Sequence, residues 1–211
     1  MRAAFTRRLA LTLAAGAALA LAACQNSKAG GAATERSLGQ ADAPVTVVEY
    51  ASTTCVHCAT WDREVWPEFK KKYVDTGQVR YVLREMLTPP YEVASAGFLI
   101  ASCAAGDNDA KYFDVIHALF RSQEEMQRTG DARAALLNVA KSAGMTEQQF
   151  QQCVSDEDQI VALQERVERF AKEDQVTGTP TFVVNGKKTE GVAMAQLDAA
   201  IQPLLKKRSG G

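Results

Sequence analysis

Val45-Thr46-Val47-Val48-Glu49-Tyr50-Ala51-Ser52-Thr53-Thr54-Cys55-Val56-His57-Cys58 decides how the rest of the chain is read. Residues 45–50 are rich in β-branched side chains and follow Ala43-Pro44, which predicts a buried strand. Thr53 and Thr54 stand where an N-cap would open a helix. Cys55, Cys58, Trp61, Val65, Trp66 and Phe69 then recur at helical spacing and draw one apolar face, which Pro67 should kink.

A Cys-x-x-Cys in the first turn of a helix brings two sulfurs within bonding distance. The free N–H groups and the positive helix end favour a thiolate on the first sulfur. Cys55 is therefore expected to be the nucleophile, with a lowered pKa. Cys58, one turn in, is more shielded and would resolve a mixed disulfide. His57 would stabilise the Cys55 thiolate further when protonated or donating a hydrogen bond. Two blander readings use the same residues. An inert structural disulfide is disfavoured because so short a loop is strained and reducible. Half of a zinc site would need two further ligands at matching spacing. Cys103 and Cys153 stand alone, with no second motif around them, so neither a metal nor a cofactor is expected.

Beyond the motif, residues 79–84 alternate as a second strand, which Pro89-Pro90 follows. Residues 91–174 carry helical periodicity in four stripes: Val93, Ala96, Gly97, Ile100 and Ala104; Phe113, Ile116, His117 and Phe120; Leu136, Leu137 and Ala140; Ile160, Leu163, Val167 and Phe170. Gly106, Gly130 and Gly144 punctuate them, and Thr146 with Gln149 forms a capping-box pattern. His117 reads as packed in the helical core, and Trp61 and Trp66 as core or groove wall. Residues 181–184 return to strand, Asn185-Gly186 signals a hairpin with 187–190 returning, and 193–205 makes a final helix.

On the N-terminal side, Arg2, Arg7 and Arg8 precede an apolar run over residues 9–23. As a helix that run would span about 22 Å, short of a bilayer core of about 30 Å. Residues 1–23 read as a signal peptide. Leu21-Ala22-Ala23-Cys24 resembles a bacterial lipobox, and lipidation of Cys24 is favoured over cleavage after Ala20 or Ala22. It accounts for an odd count of 5 cysteines. Gln25 favours the outer membrane. Residues 24–37 would be the lipidated Cys and a flexible tether. The expected location is the periplasm, lipid-anchored, with a soluble periplasmic protein as the alternative. The formal net charge of -1 gives no sign of nucleic-acid binding.

The strand leading into Cys55-Val56-His57-Cys58, taken with Gly178-Thr179-Pro180-Thr181-Phe182-Val183-Val184-Asn185-Gly186, resembles the DsbA-like branch of the thioredoxin superfamily. The resemblance covers roughly residues 38–205. It implies an α/β thioredoxin fold, a central mixed sheet flanked by helices, with an inserted all-helical subdomain. The halves would be 38–88 and 176–205, the insertion 89–175, and 206–211 a disordered tail. It further implies that Pro180 is cis and faces the two cysteines, and that the Thr179 backbone pairs with an extended substrate by strand addition. Glu49 matches a buried acid that exchanges protons with Cys58; otherwise it is an exposed polar residue on an edge strand. Val56 departs from the pattern, since the best-known oxidases carry Pro there, and so leaves the redox potential open.

The resemblance implies a protein thiol:disulfide oxidoreductase that donates disulfides to exported proteins with reduced cysteines. A membrane quinone-linked partner would reoxidise it, and the chain would be a monomer. In an oxidising compartment two spare thiols are unusual. With Cys55 and Cys58 paired, a structural Cys103–Cys153 disulfide is expected, in place of two small buried core thiols. The alternatives in function are a disulfide isomerase or reductase and, in another class, a lipid-anchored metal- or peptide-binding protein.

Overall fold

The computed structural model describes residues 35–209. The expected signal peptide, Cys24 and most of the tether lie outside the described residues. Five strands among the described residues form one sheet in the order β1 (Arg36–Leu38), β3 (Val79–Glu85), β2 (Val45–Ala51), β4 (Thr181–Val184) and β5 (Lys187–Lys188). β2 and β3 run parallel, and every other pairing is antiparallel. A parallel pair needs a crossover, supplied here by α1 (Val56–Glu64), α2 (Trp66–Phe69) and a π-helical turn over Lys70–Val74. Pro67 lies in the first turn of α2. It has no N–H to offer the Arg63 carbonyl and its ring crowds that group, so α1 stops and α2 starts afresh.

The inserted helices are α3 (Tyr91–Ala105), α4 (Asp109–Thr129), α5 (Ala132–Ser142), α6 (Glu147–Val154) and α7 (Glu157–Glu173), and α8 (Met194–Ser209) closes the chain. Their ends follow local chemistry. Asn108, Asp131 and Asp156 each accept an N–H of the first turn, Gly130 takes the left-handed conformation that ends α4, and Thr146 with Gln149 makes a reciprocal capping box. A mixed sheet flanked by helices with a helical insertion is the expected thioredoxin architecture.

Alternation along β2 decides which side chains reach the future site. Val48 and Tyr50 pack on one face with Val82, Val183, Val176 and Phe170 of α7. That side is tied down by the Tyr50 hydroxyl, which donates to Asp174 at 2.7 Å and accepts from Arg84 at 2.8 Å. Val45, Val47 and Ala51 join the larger core on the other face, together with Cys58, Trp61 and Trp66. Glu49 falls in register with them and so points beneath α1.

Local pattern failed at both ends of the fold. The tether expected to reach residue 37 instead enters the sheet as β1. Arg36 pairs with Leu83, its guanidinium reaches Asp109 at 3.1 Å, and the Ser37 N–H donates to the same carboxylate at 3.0 Å. Those partners are distant in sequence, so a polar stretch gives no local warning of them. The tail expected to be disordered from 206 continues α8 through Ser209. Leu197 and Ile201 anchor that helix in the core, nothing in Lys206-Lys207-Arg208 breaks it, and cations suit a helix C-terminus. The hairpin's returning strand is shorter than expected, ending at Lys188.

Cys103 of α3 and Cys153 of α6 are joined by a disulfide across a sequence separation of 50, pinning two inserted helices together. Replacing both, C103A/C153A, is expected to lower the unfolding free energy by about 2–4 kcal/mol. A shifted denaturant midpoint would show it.

Candidate active site

At the C-terminal end of β2 the chain turns sharply through Ser52, Thr53 and Thr54 into α1, and the helical insertion holds that turn. Thr53 Oγ1 donates to the Ala94 carbonyl at 3.1 Å, and Thr54 Oγ1 to the Thr88 carbonyl at 2.9 Å. Gln123 Nε2 on α4 donates to the carbonyls of Thr53 at 2.8 Å and Cys55 at 3.2 Å. Gly97 packs so closely that a Cβ there would lie 2.5 Å from Thr53 Oγ1. With both threonine hydroxyls engaged elsewhere, neither caps α1. Cys55 is itself the N-cap, and its sulfur accepts the Cys58 N–H at 3.3 Å.

Both cysteines are reduced, and their surroundings differ. Cys58 is wholly enclosed, while Cys55 retains 9% of its surface. The Cys55 pKa is lowered to about 5. The Cys58 thiol, hydrogen-bonded to the Cys55 sulfur, contributes most, and Thr179 and the N–H groups of Cys58 and His57 add to it against the cost of burial. Burial drives the Cys58 thiol the other way, far above its ordinary value, and Cys55 and Glu49 reinforce that. One helical turn thus holds a thiolate and a thiol. His57 faces solvent, and its ring makes no hydrogen bond among the described residues. Val56 beside it is exposed as well.

The opposing wall arrives from β4. The Thr179–Pro180 peptide is cis, and Cys55 Sγ lies 3.4 Å from the Thr179 carbonyl oxygen. Beside this contact runs a groove lined by His57, Thr60, Trp61, Thr179, Pro180 and Val192. The Trp61 indole donates to the Val192 carbonyl at 2.8 Å and so fixes its floor.

Glu49 lies below the cysteines, 1% exposed on the central strand. Tyr81 donates to its Oε2, whereas Oε1 is buried without a partner. Burial raises the Glu49 pKa to about 8; the Tyr81 bond opposes the rise, and the charges of Asp62 and Cys55 add to it. No motif in the sequence singles out Asp62, and His117 reads there only as core. The structure bonds Asp62 to His117, with the histidine side chain 17% exposed. Asp62 stands four residues after Cys58, on the same helical face, and that spacing was the available signal. Cys103 and Cys153 lie elsewhere, on α3 and α6. Among the described residues, no group of three or more His, Cys, Asp or Glu side chains is placed to hold a metal ion.

A family model described as Thioredoxin matches residues 32–203. A Rickettsia bellii protein, whose name carries protein-disulfide oxidoreductase as a provisional assignment, is 31% identical over 164 residues, 78% of this chain and 62% of that protein. The chain thus spans less than two thirds of the length of that curated relative. Among solved structures, Wolbachia pipientis alpha-DsbA1 superposes with a TM-score of 0.74 at 24% identity, covering 84% of this chain and 94% of the other. Oxidised BdbD from Bacillus subtilis gives a TM-score of 0.71 at 22% identity, covering 82% and 93%.

In the reduced protein, ultraviolet thiolate absorbance is expected to titrate near pH 5 for Cys55, with Cys58 silent well into the alkaline range. The linkage follows in sign. A depressed folded-state pKa stabilises the reduced fold fully above the ordinary value of 9.0, and that contribution is lost as pH falls to about 5. Unfolding curves of reduced and oxidised protein should therefore converge, as far as Cys55 is concerned, as the pH falls through that window.

Proposed function

The chain belongs to the thioredoxin family, and on that footing we propose that it is a protein thiol:disulfide oxidoreductase working in the oxidase direction. Its disulfide would pass from Cys55–Cys58 to exported proteins carrying reduced cysteines. The observation that carries the reading is the asymmetry of the two sulfurs, a stabilised thiolate at Cys55 beside a sealed thiol at Cys58.

The cycle begins with the oxidised pair. A substrate thiolate attacks Cys55 Sγ, the Cys55–Cys58 bond breaks, and Cys58 departs with the electron pair. Its high proton affinity draws a proton from Glu49, which is protonated at neutral pH because its pKa is raised to about 8. A second substrate thiolate then attacks the substrate sulfur of the mixed disulfide. Cys55 leaves as a thiolate, the better leaving group because its pKa is low. The His57 ring at the groove edge would support that charge. Thr179 and Pro180 precede β4, with the Thr179 carbonyl beside Cys55, and an extended substrate would pair there with the Thr179 backbone by strand addition.

Two electrons remain on the reduced pair, and a membrane quinone-linked partner would remove them. Cys24 would anchor the chain by lipid in the periplasm, favouring the outer membrane, after removal of residues 1–23. Isomerase and reductase activities use the same exchange steps, but the low Cys55 pKa stabilises the reduced form and so favours donation of the disulfide.

Mixing the oxidised protein with a dithiol peptide is expected to consume peptide thiols at one disulfide per protein. Offered a peptide disulfide instead, reduced C58S should accumulate a mixed disulfide at Cys55 with release of one peptide thiol, and C55S should form none. Failure of the oxidised protein to exchange, with stoichiometric metal binding by the reduced pair, would contradict the proposal.

A further inference from the structure

On the reading just given, Cys58 and Glu49 each gain and lose a proton in every cycle, yet neither reaches solvent: Cys58 is 0% and Glu49 1% exposed. A proton that enters or leaves this pair needs a path. Tyr81, which donates to Glu49, offers none, because its phenol is buried and burial pushes its pKa far up. On the α1 side stands Asp62. It lies one turn beyond Cys58, is buried, and sits close enough for its charge to act on both Glu49 and Tyr81.

Asp62 Oδ1 is hydrogen-bonded to His117 Nδ1. The His117 ring lies against Trp66, with centroids 5.3 Å apart, and lines a groove of about 920 Å³ between α1 and α4. The groove starts at Val56 and carries Arg63 on α1 with Asp114, Arg121 and Glu124 on α4. It shares Thr60 with the groove beside Pro180, but the Asp62–His117 bond lies on its own side of α1. Glu49 therefore faces Tyr81 from β3 and Asp62 and the cysteines from the α1 side. His117 faces Asp62 and the charged groups of the groove.

We infer that Asp62 and His117 relay protons between the buried Cys58–Glu49 pair and the solvent of the groove between α1 and α4. When Cys58 departs it takes the Glu49 proton. Glu49 is recharged from Asp62 through a water that meets its free Oε1, Asp62 from the His117 imidazolium, and His117 from groove water. Reoxidation runs the same transfers backward, so no charge is left in the core. His117 touches no reacting sulfur; it is a relay residue.

The inference rests on the exchange reading, and a steady-state experiment separates the two. The protein is turned over by a dithiol peptide with an excess of a small-molecule disulfide as oxidant, so that Glu49 is recharged in every cycle, and the rate is followed across pH for wild type, H117A, H117Q and D62N. H117A and H117Q are expected to slow the reaction at least several-fold while leaving the Cys55 thiolate titration in place. Added imidazole, which the groove can admit, should restore H117A in proportion to its protonated fraction, and D62N should be slow and unresponsive. Wild-type rates and pH profiles in H117A or H117Q, or a loss in H117A that imidazole does not restore, would overturn the relay. If H117A does not fold, H117Q decides, since its amide can hold Asp62 but cannot carry the proton. Absence of exchange in wild type would instead overturn the proposed function.

Discussion

The Cys58 N–H pointing at the Cys55 sulfur is a small contact, 3.3 Å long, but it orders the molecule around it. It exists because Cys55 occupies the N-cap of α1, where the first-turn donors have no partners of their own. Holding a cysteine there requires a tight turn out of β2. The turn is in turn held by the inserted helices, through Ala94 and Gln123 and the close approach of Gly97. The insertion thus supports the sulfur chemistry without contributing a reacting atom. On the other side, β4 delivers Thr179 and Pro180 to the same sulfur from 124 residues away. One sulfur is left among donors with a small exposed area, and the other is sealed by α1 and the sheet.

Sealing the second sulfur creates the opposite problem. An interior that keeps Cys58 protonated also isolates every proton it must exchange. Glu49 meets part of that need, held by period-two alternation on β2, the strand flanked by β3 and β4. An isolated carboxylate there would be costly, and the structure answers by letting it stay protonated near neutrality instead of pairing it with a cation. The Asp62–His117 pair, with Asp62 acting on Glu49 and His117 lining the groove between α1 and α4, would give those protons an exit.

Much of this was legible in local pattern. The β-branched run into Cys55, the Asn185-Gly186 hairpin, the Thr146–Gln149 capping box and the Pro67 break all follow from interactions between residues a few positions apart. The order of elements followed from that pattern, and the sheet with its helical insertion was implied by the family resemblance. What escaped was decided at long range. Thr53 and Thr54 look like caps until their hydroxyls are seen engaged with Ala94 and Thr88. Residues 36–37 look like tether until Asp109 and Leu83 are brought beside them. Asp62 and His117 lie 55 residues apart, and only the packing of α4 against α1 makes them one unit.

The central claim is that the environment of Cys55 stabilises the reduced form enough to make the pair an oxidant. The reduction potential of the Cys55–Cys58 couple, equilibrated against glutathione, measures that stabilisation directly. The account predicts a value well above thioredoxin's of about -270 mV, in the range of about -180 to -120 mV held by disulfide donors. A value near -270 mV would contradict it.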